Sequence, residues 1–385
     1  HWAMVHSATY DAANGILRTH TPINGWPTGM VAGASVDAAV TEAAYRVLIA
    51  LFPSQTAILD ASRATSLAAI ADGAAKTRGI QIGAEMAARE LAARQNDGRL
   101  VDVPYVPSTE LGGYVLTVGL PNLTPPPGPV TPWLAQVKPF VLRKPSQFRP
   151  EGPPDLDSGS YAADFNEVKL LGEGASTVRT AAQTEIGLFH TMNPTLFWGR
   201  NLKGIVESLN LPTADNVRLL ALLSLAYADA NIACWNAKYH FLKWRPVTAI
   251  HAADTDGNAG TEAKLDWYPL AATPPHPEYP AAHGCISGAM METLRRFVGT
   301  RYIGMTFVSS VPNTVPHHFD DTADFLDEIV DARIYGGMHF RTSVEDGEEL
   351  GRQVARYVAR HALQPLPGCD RWSRFERCGR GRDND

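Results

Sequence analysis

An all-α fold, built from helical bundles and interrupted by one long proline-rich coil, is what this 385-residue sequence predicts. Apolar residues recur at helical spacing through most of the chain, and tandem alternation of strand and helix is missing. Nearly half of the 28 prolines fall between Pro104 and Pro154; proline lacks a donor and has a fixed φ, so that stretch cannot be regular helix. With 45% apolar and 19% charged residues, the composition is that of a globular chain able to bury a substantial core.

The elements follow in order. Trp2–Leu17 is Ala-rich with apolar positions at helical spacing. Ser35 is a fitting N-cap for a helix reaching Phe52, which Pro53 ends. Pro53 can open the next helix, to about Ala71, because proline fits a first helical turn. Ala74–Gln95 closes at Asn96-Asp97-Gly98. Residues 98–158 are expected to form a packed coil wrapping the bundle, with Trp133, Phe140 and Phe148 as apolar anchors; a disordered linker is the alternative. Helices resume at Tyr161–Leu171, Ser176–Met192, Thr195–Asn210, Thr213–Tyr239, His283–Val298, Phe319–Tyr335 and Thr342–Ala362. On this reading residues 1–362 are one helical domain and 363–385 a polar C-terminal extension.

Charge and composition exclude some functions. A formal net charge of −6 leaves no electrostatic footprint for nucleic acid, and no Lys/Arg run marks a polybasic anchor. The most apolar stretch, Leu219–Trp235, is broken by Ser224, Asp229 and Asn231 and reads as too short and too polar for a membrane span, so a soluble protein is expected. The chain opens at His1 without Met, inside a helical pattern, which leaves room for upstream residues, such as a signal peptide, as an expectation. Cys234 and Cys285 read as small core residues. Cys369 and Cys378 could pair in an oxidising compartment. The compartment stays open, with a secreted or periplasmic one favoured, and so does assembly into a homo-oligomer. Asn122-Leu123-Thr124 fits a glycosylation acceptor. P-loop, HExxH and GxSxG motifs are absent from the sequence.

Three short segments carry candidate chemistry. In Lys238-Tyr239-His240-Phe241-Leu242-Lys243-Trp244-Arg245-Pro246, Lys238 ends the long helix and the proline pushes Arg245 toward extended backbone, so two cations can reach one space from different directions. In Pro274-Pro275-His276-Pro277-Glu278-Tyr279-Pro280-Ala281-Ala282-His283-Gly284, a rigid lead-in delivers His283 to a first helical turn, where unpaired N–H groups could face an anion. In Arg333-Ile334-Tyr335-Gly336-Gly337-Met338-His339, a glycine pair can break the helix and bring Arg333 and His339 together. The first two have plainer readings, a solvated basic turn and a capping or surface histidine, and the third motif is weak alone. Glu185, Asp229 and Glu278 are candidate partners for Arg333 or a histidine. His317-His318 with Asp320-Asp321 could hold a divalent metal, though a polar loop before a helix at Phe319 explains them better.

Taken together, the order Lys-x6-Arg-Pro, Pro-x-x-His, Arg-x5-His resembles the signature of the vanadium-dependent haloperoxidase and phosphatidic-acid-phosphatase superfamily. Trp2-Ala-Met-Val-His-Ser-Ala-Thr-Tyr-Asp-Ala-Ala-Asn14, Arg179-Thr-Ala-Ala-Gln183 and Trp235-Asn-Ala-Lys238 are also similar to haloperoxidase sequence. The resemblance covers most of the chain from His1 to about Ala362 and is weakest in the Pro-rich segment.

This resemblance implies roles. His339 would bond vanadium in bound vanadate, or be the phosphorylated nucleophile of a phosphatase with phosphate in the same site. Lys238, Arg245 and Arg333 would neutralise the equatorial oxygens, Ala282 would offer a backbone N–H, and His283 would serve as acid–base residue. Trp235 and His276 would lie on the halide side, His276 favouring bromide or iodide. The implied partners are hydrogen peroxide, halide and an organic acceptor. The runners-up are a soluble acid phosphatase and a remodelled, inactive oxyanion binder. One departure is plain: the family's Pro-Ser-Gly-His is here Pro280-Ala281-Ala282-His283, and the lost serine hydroxyl would cost oxyanion binding roughly 1.5–3 kcal/mol.

Overall fold

The computed structural model of the protein describes residues 1–116 and 131–368. The Asn122 acceptor pattern, Pro125–Pro127, the Cys369–Cys378 pair and most of the expected C-terminal extension lie outside the described residues. Among those residues the chain is helical, with α1 (Trp2–Leu17), α2 (Val36–Leu51), α3 (Thr56–Ala68), α4 (Ala74–Ala93), α5 (Gly159–Leu171), α6 (Ala181–Phe189), α7 (Pro194–Ser208), α8 (Thr213–Phe241), α9 (Pro246–Ala252), α10 (Ala282–Val298), α11 (Thr322–Tyr335) and α12 (Arg341–His361). One antiparallel pair, β1 (Tyr302–Phe307) and β2 (His317–Asp321), is the named sheet. The residues group into two compact units, 1–97 with 211–228 and the chain from 357, and 98–210 with 229–356.

Small residues shape the first unit. Ser35 Oγ accepts from the Ala38 N–H at 3.2 Å and starts α2. Ala38, Ala39 and Ala43 of α2 are fully buried, and α4 meets them through Gly79 and Gly83, where a Cβ would come within 2.3 Å of the Ser35 or Ala39 carbonyl oxygen. Only glycine permits so close a helix pair. Asp11 on α1 accepts from the Ile23 and Asn24 N–H groups, each at 2.7 Å, and so pins the loop after α1.

The second unit departs from the sequence reading in three places. The helix expected from Phe319 begins at Thr322, because residues 317–321 pair with β1 instead. β1 alternates exposed and buried residues, the period-two pattern of a half-buried strand. The helix expected from Ser176 begins at Ala181, where Thr180 and Gln183 form a reciprocal capping box. The short α9 was not anticipated at all. α8 is 29 residues long and, with a window of mean hydropathy 1.4, long and apolar enough to cross a membrane, so the expectation of a segment too short for that needs correcting. Its apolar surface is spent internally, since 78% of that window is buried within the protein.

Candidate active site

All eight residues singled out in the three segments and their neighbourhood lie in the second unit. Lys238 occupies the last turn of α8. Arg245 is the N-cap of α9, its backbone extended at φ −84° and ψ 156° ahead of Pro246, as expected of a residue before proline. Ala282 and His283 are the first two residues of α10. Arg333 lies in the last turn of α11, which stops at Tyr335. Gly337 then turns the chain at φ +71°, where a Cβ would also sit 2.5 Å from the Gly172 carbonyl oxygen. A glycine is required there on both counts, and the turn brings His339 back toward Arg333.

The side chains converge. Lys238 Nζ donates to the carbonyls of Pro277 at 2.8 Å and Glu278 at 2.9 Å. Arg245 Nε donates to the His276 carbonyl and Nη1 to the Met338 carbonyl, both at 2.9 Å, while Nη1 lies 3.0 Å from His339 Nε2 and Nη2 3.0 Å from His276 Nδ1. Arg333 Nη1 donates to the His190 carbonyl at 2.6 Å and lies 3.5 Å from His283 Nε2; its Nη2 reaches Met338 Sδ at 2.8 Å. Met338 thus joins the two guanidiniums. The Trp235 ring packs 5.2 Å from the His276 ring and 6.0 Å from Lys238 Nζ.

The electrostatics of the cluster are strongly positive and desolvated. Lys238, Arg245, Arg333 and His339 are each no more than 1% exposed, and among the described residues none of the three cations forms an ion pair with a carboxylate. Burial pushes Lys238 down to about 8, Arg245 to about 10 and Arg333 to about 9. Desolvation and the neighbouring cations hold His276, His283 and His339 well below the usual imidazole range, so all three are neutral near pH 7. Three buried cations with one carboxylate, Glu278, among them leave a surplus of positive charge that is costly to bury, and a multiply charged oxyanion would relieve that cost.

Vanadate or phosphate fits this donor set. Arg333 Nε is a buried donor without a hydrogen-bond partner. Ala281, the N-cap of α10, supplies no side-chain bond to the helix start, where the first N–H groups have no intrahelical partner. His339 Nδ1 lies 2.8 Å from Glu278 Oε1, which also accepts from the Phe340 N–H at 3.1 Å. A carboxylate on Nδ1 places the proton there and makes Nε2 an acceptor, which here faces Arg245 Nη1 at 3.0 Å. The residues present can therefore hold a tetrahedral oxyanion from three sides and offer it one neutral nitrogen.

Of the three carboxylates considered as partners, Glu278 is the one that meets the cradle. Glu185 bonds His317, and Asp229 accepts from the backbone N–H groups of Phe140, Val141 and Leu142. His317 does not join His318, Asp320 and Asp321 as a local metal set; it turns to Glu185 and Glu328, while His318 pairs with Asp320 at the surface. Sequence reasoning missed the carbonyls of His190, Pro277 and Met338, which steer the cations but carry no side-chain signature. Cys234 and Cys285 are buried free thiols, as expected. A separate cleft lined by Trp244, Glu278, Tyr279, Phe340 and Ser343 among others touches none of the eight residues.

A buried cluster of three cations and neutral histidines on a helical scaffold is what this geometry defines. Residues 218–368 match the VCPO second helical-bundle domain. The chain is 26% identical over 216 residues to vanadium chloroperoxidase of Curvularia inaequalis, a match spanning 46% of this chain but only 35% of that protein's length. Its fold is shared with a bacterial vanadium-dependent iodoperoxidase, at TM-score 0.77 and 23% identity over 95% of this chain and 90% of that one. It is also shared with a holo-type bacterial vanadium-dependent chloroperoxidase, at TM-score 0.74 and 19% identity over 93% and 90%. Residues 218–368 thus resemble a helical-bundle domain of vanadium chloroperoxidase, and the all-α architecture is the one those solved haloperoxidases share.

Proposed function

We propose that this chain is a vanadate-dependent haloperoxidase that oxidises halide with hydrogen peroxide and halogenates organic acceptors. The observation that carries the reading is the pairing of Glu278 with His339 inside a ring of three buried cations. His339 Nε2 would hold the vanadium, Lys238, Arg245 and Arg333 would neutralise the oxygens, and Ala282 would add a backbone N–H. When bound, vanadate supplies a Lewis-acidic centre at which peroxide is activated toward halide. His283, neutral and half-buried beside Arg333, would take the proton that peroxide gives up and return it to the departing oxygen. Trp235 and His276 form the face assigned to halide, and the polar imidazole there favours bromide or iodide.

The test is to load purified protein with orthovanadate and follow peroxide-dependent bromination of a dye, beside phosphate-ester hydrolysis without vanadate. Bromination that His339→Ala abolishes is the expected result. Hydrolysis that vanadate inhibits, with no halogenation, would instead make the chain a phosphatase working through His339. Silence in both assays would make it an oxyanion binder without turnover, in keeping with Ala281.

A further inference from the structure

A second constellation of ligand-type side chains lies in the same unit, outside the cradle. His190 caps the C-terminus of α6, His317 opens β2 and Glu328 sits on α11. His190 Nε2 and His317 Nδ1 each lie 2.7 Å from Glu328 Oε1, and one ligand atom from each residue falls within 4.8 Å of the others. The far nitrogen of His317, Nε2, is held by Glu185 Oε2 at 2.9 Å, and Phe189 stacks flat on the ring at 3.9 Å. That imidazole is fixed in plane and backed by a carboxylate, the arrangement by which proteins orient metal-binding histidines.

Charge supports the same conclusion. Among the described residues, Glu185 and Glu328 form ion pairs with histidine alone, with neither Lys nor Arg. Two carboxylates and two neutral imidazoles carry the charge that one dication balances, whereas a single proton on His317 balances half of it. The side chains are 1% (His190), 11% (His317) and 16% (Glu328) exposed, so an ion would be largely desolvated yet within reach of solvent.

We propose that His190 Nε2, His317 Nδ1 and Glu328 Oε1 bind one divalent ion of the zinc class, with Glu185 orienting His317. Two nitrogens and one carboxylate oxygen are a zinc-type donor set with a fourth position left for water. Binding replaces the two imidazole–carboxylate hydrogen bonds with metal–ligand bonds: His317 gives its Nδ1 proton to solvent and keeps the Nε2 proton that it donates to Glu185, while His190 stays neutral with its proton on Nδ1. The ion would also fix the end of α6, where the His190 carbonyl receives Arg333 Nη1, and so stiffen one wall of the cradle.

The test uses the full chain incubated with zinc chloride, passed through gel filtration and analysed for metal, with cobalt chloride as a spectroscopic probe. Wild type is expected to retain about one zinc per chain and to give tetrahedral cobalt absorption. His317→Gln and Glu328→Gln should retain less than a tenth of that, while His339→Ala should retain it all. Wild type that holds no zinc above background, or zinc that survives both glutamine substitutions, overturns the proposal and leaves a hydrogen-bonded network. The readout is zinc content and so stands or falls separately from halogenation.

Discussion

Glu278 reaches His339 with its side chain and Lys238 with its backbone: Oε1 lies 2.8 Å from His339 Nδ1, and the carbonyl accepts from Lys238 Nζ at 2.9 Å. One residue therefore sets both the tautomer of the nitrogen donor and the place of a cation. Burial raises the Glu278 carboxyl from 4.5 to about 7, with Arg245 and Lys238 opposing the rise, so the charge it lends His339 depends on those two cations and is lost as pH falls below about 7. Glu278→Gln keeps the volume and the backbone bond but removes the charge that makes His339 a good donor. Loss of such an orienting partner weakens metal-centre affinity by about 10–100-fold. Vanadate affinity measured by calorimetry should fall by that factor; an unchanged affinity would mean that His339 Nε2 does not engage the anion.

The alanine at the N-cap of α10 is a deficit that can be refilled. Ala281→Ser would give the helix start a side-chain acceptor, worth about 1 kcal/mol of stability. The same hydroxyl could donate its hydrogen to an anion, strengthening oxyanion binding by roughly 1.5–3 kcal/mol, or about tenfold and more. Both the melting temperature and vanadate affinity should rise. A rise in melting temperature alone would place the helix start out of the anion's reach.

Helix α10, which carries His283, packs against α12 at glycine distance. A Cβ on Gly284 would lie 2.3 Å from the Val344 carbonyl oxygen, one on Gly288 2.3 Å from that of Glu348, and one on Gly351 2.0 Å from that of Cys285. In an open helix Gly→Ala gains about 1 kcal/mol; here overpacking should reverse the sign and cost about 1–3 kcal/mol. Gly288→Ala should therefore lower stability to urea with a small effect on vanadate affinity. Gly284→Ala, next to His283, should lower both. A stabilised Gly288→Ala protein would show that the helix pair is looser than these distances.

These residues also mark how far the sequence could be read. Helix starts written in local chemistry were legible: Ser35 before α2, the extended Arg245 before Pro246, the glycine turn before His339. That Lys238, Arg245, Arg333 and the histidines belong together was legible because they are charged or aromatic and stand at recognisable spacings. What was not legible depends on atoms every residue has, such as the carbonyls of His190 and Met338. It also depends on long-range partners. The carboxylates around His317 lie 11 and 132 residues away, so the neighbouring Asp320 and Asp321 misled. The strand at 317–321 was hidden by the acidic, helix-like run that follows it, although the alternation of Ile303, Met305 and Phe307 in its partner was there to be seen.

In the first unit, Glu90 gives a prediction that does not involve the cradle. It is 1% exposed, with Oε2 accepting from Asn24 Nδ2 at 2.7 Å and Oε1 buried without a partner. Burial raises its carboxyl from 4.5 to about 7, with the Asn24 bond and Arg94 opposing. The folded protein then keeps this proton up to about pH 7, whereas the unfolded chain releases it near 4.5. Between those values the folded state binds more protons, so this group's contribution to stability falls as pH rises, by up to about 1.4 kcal/mol per pH unit. Glu90→Gln stays neutral throughout and retains an oxygen for Asn24. Asp11 titrates nearby, pushed up to about 6 by burial, so the informative quantity is the difference between wild type and variant. Urea unfolding at pH 5, 6, 7 and 8 should show Glu90→Gln gaining on wild type as pH rises to about 7, then holding a constant advantage. A difference that stays flat from pH 5 upward would mean that Glu90 is already ionised in the folded protein, compensated by Arg94 rather than protonated.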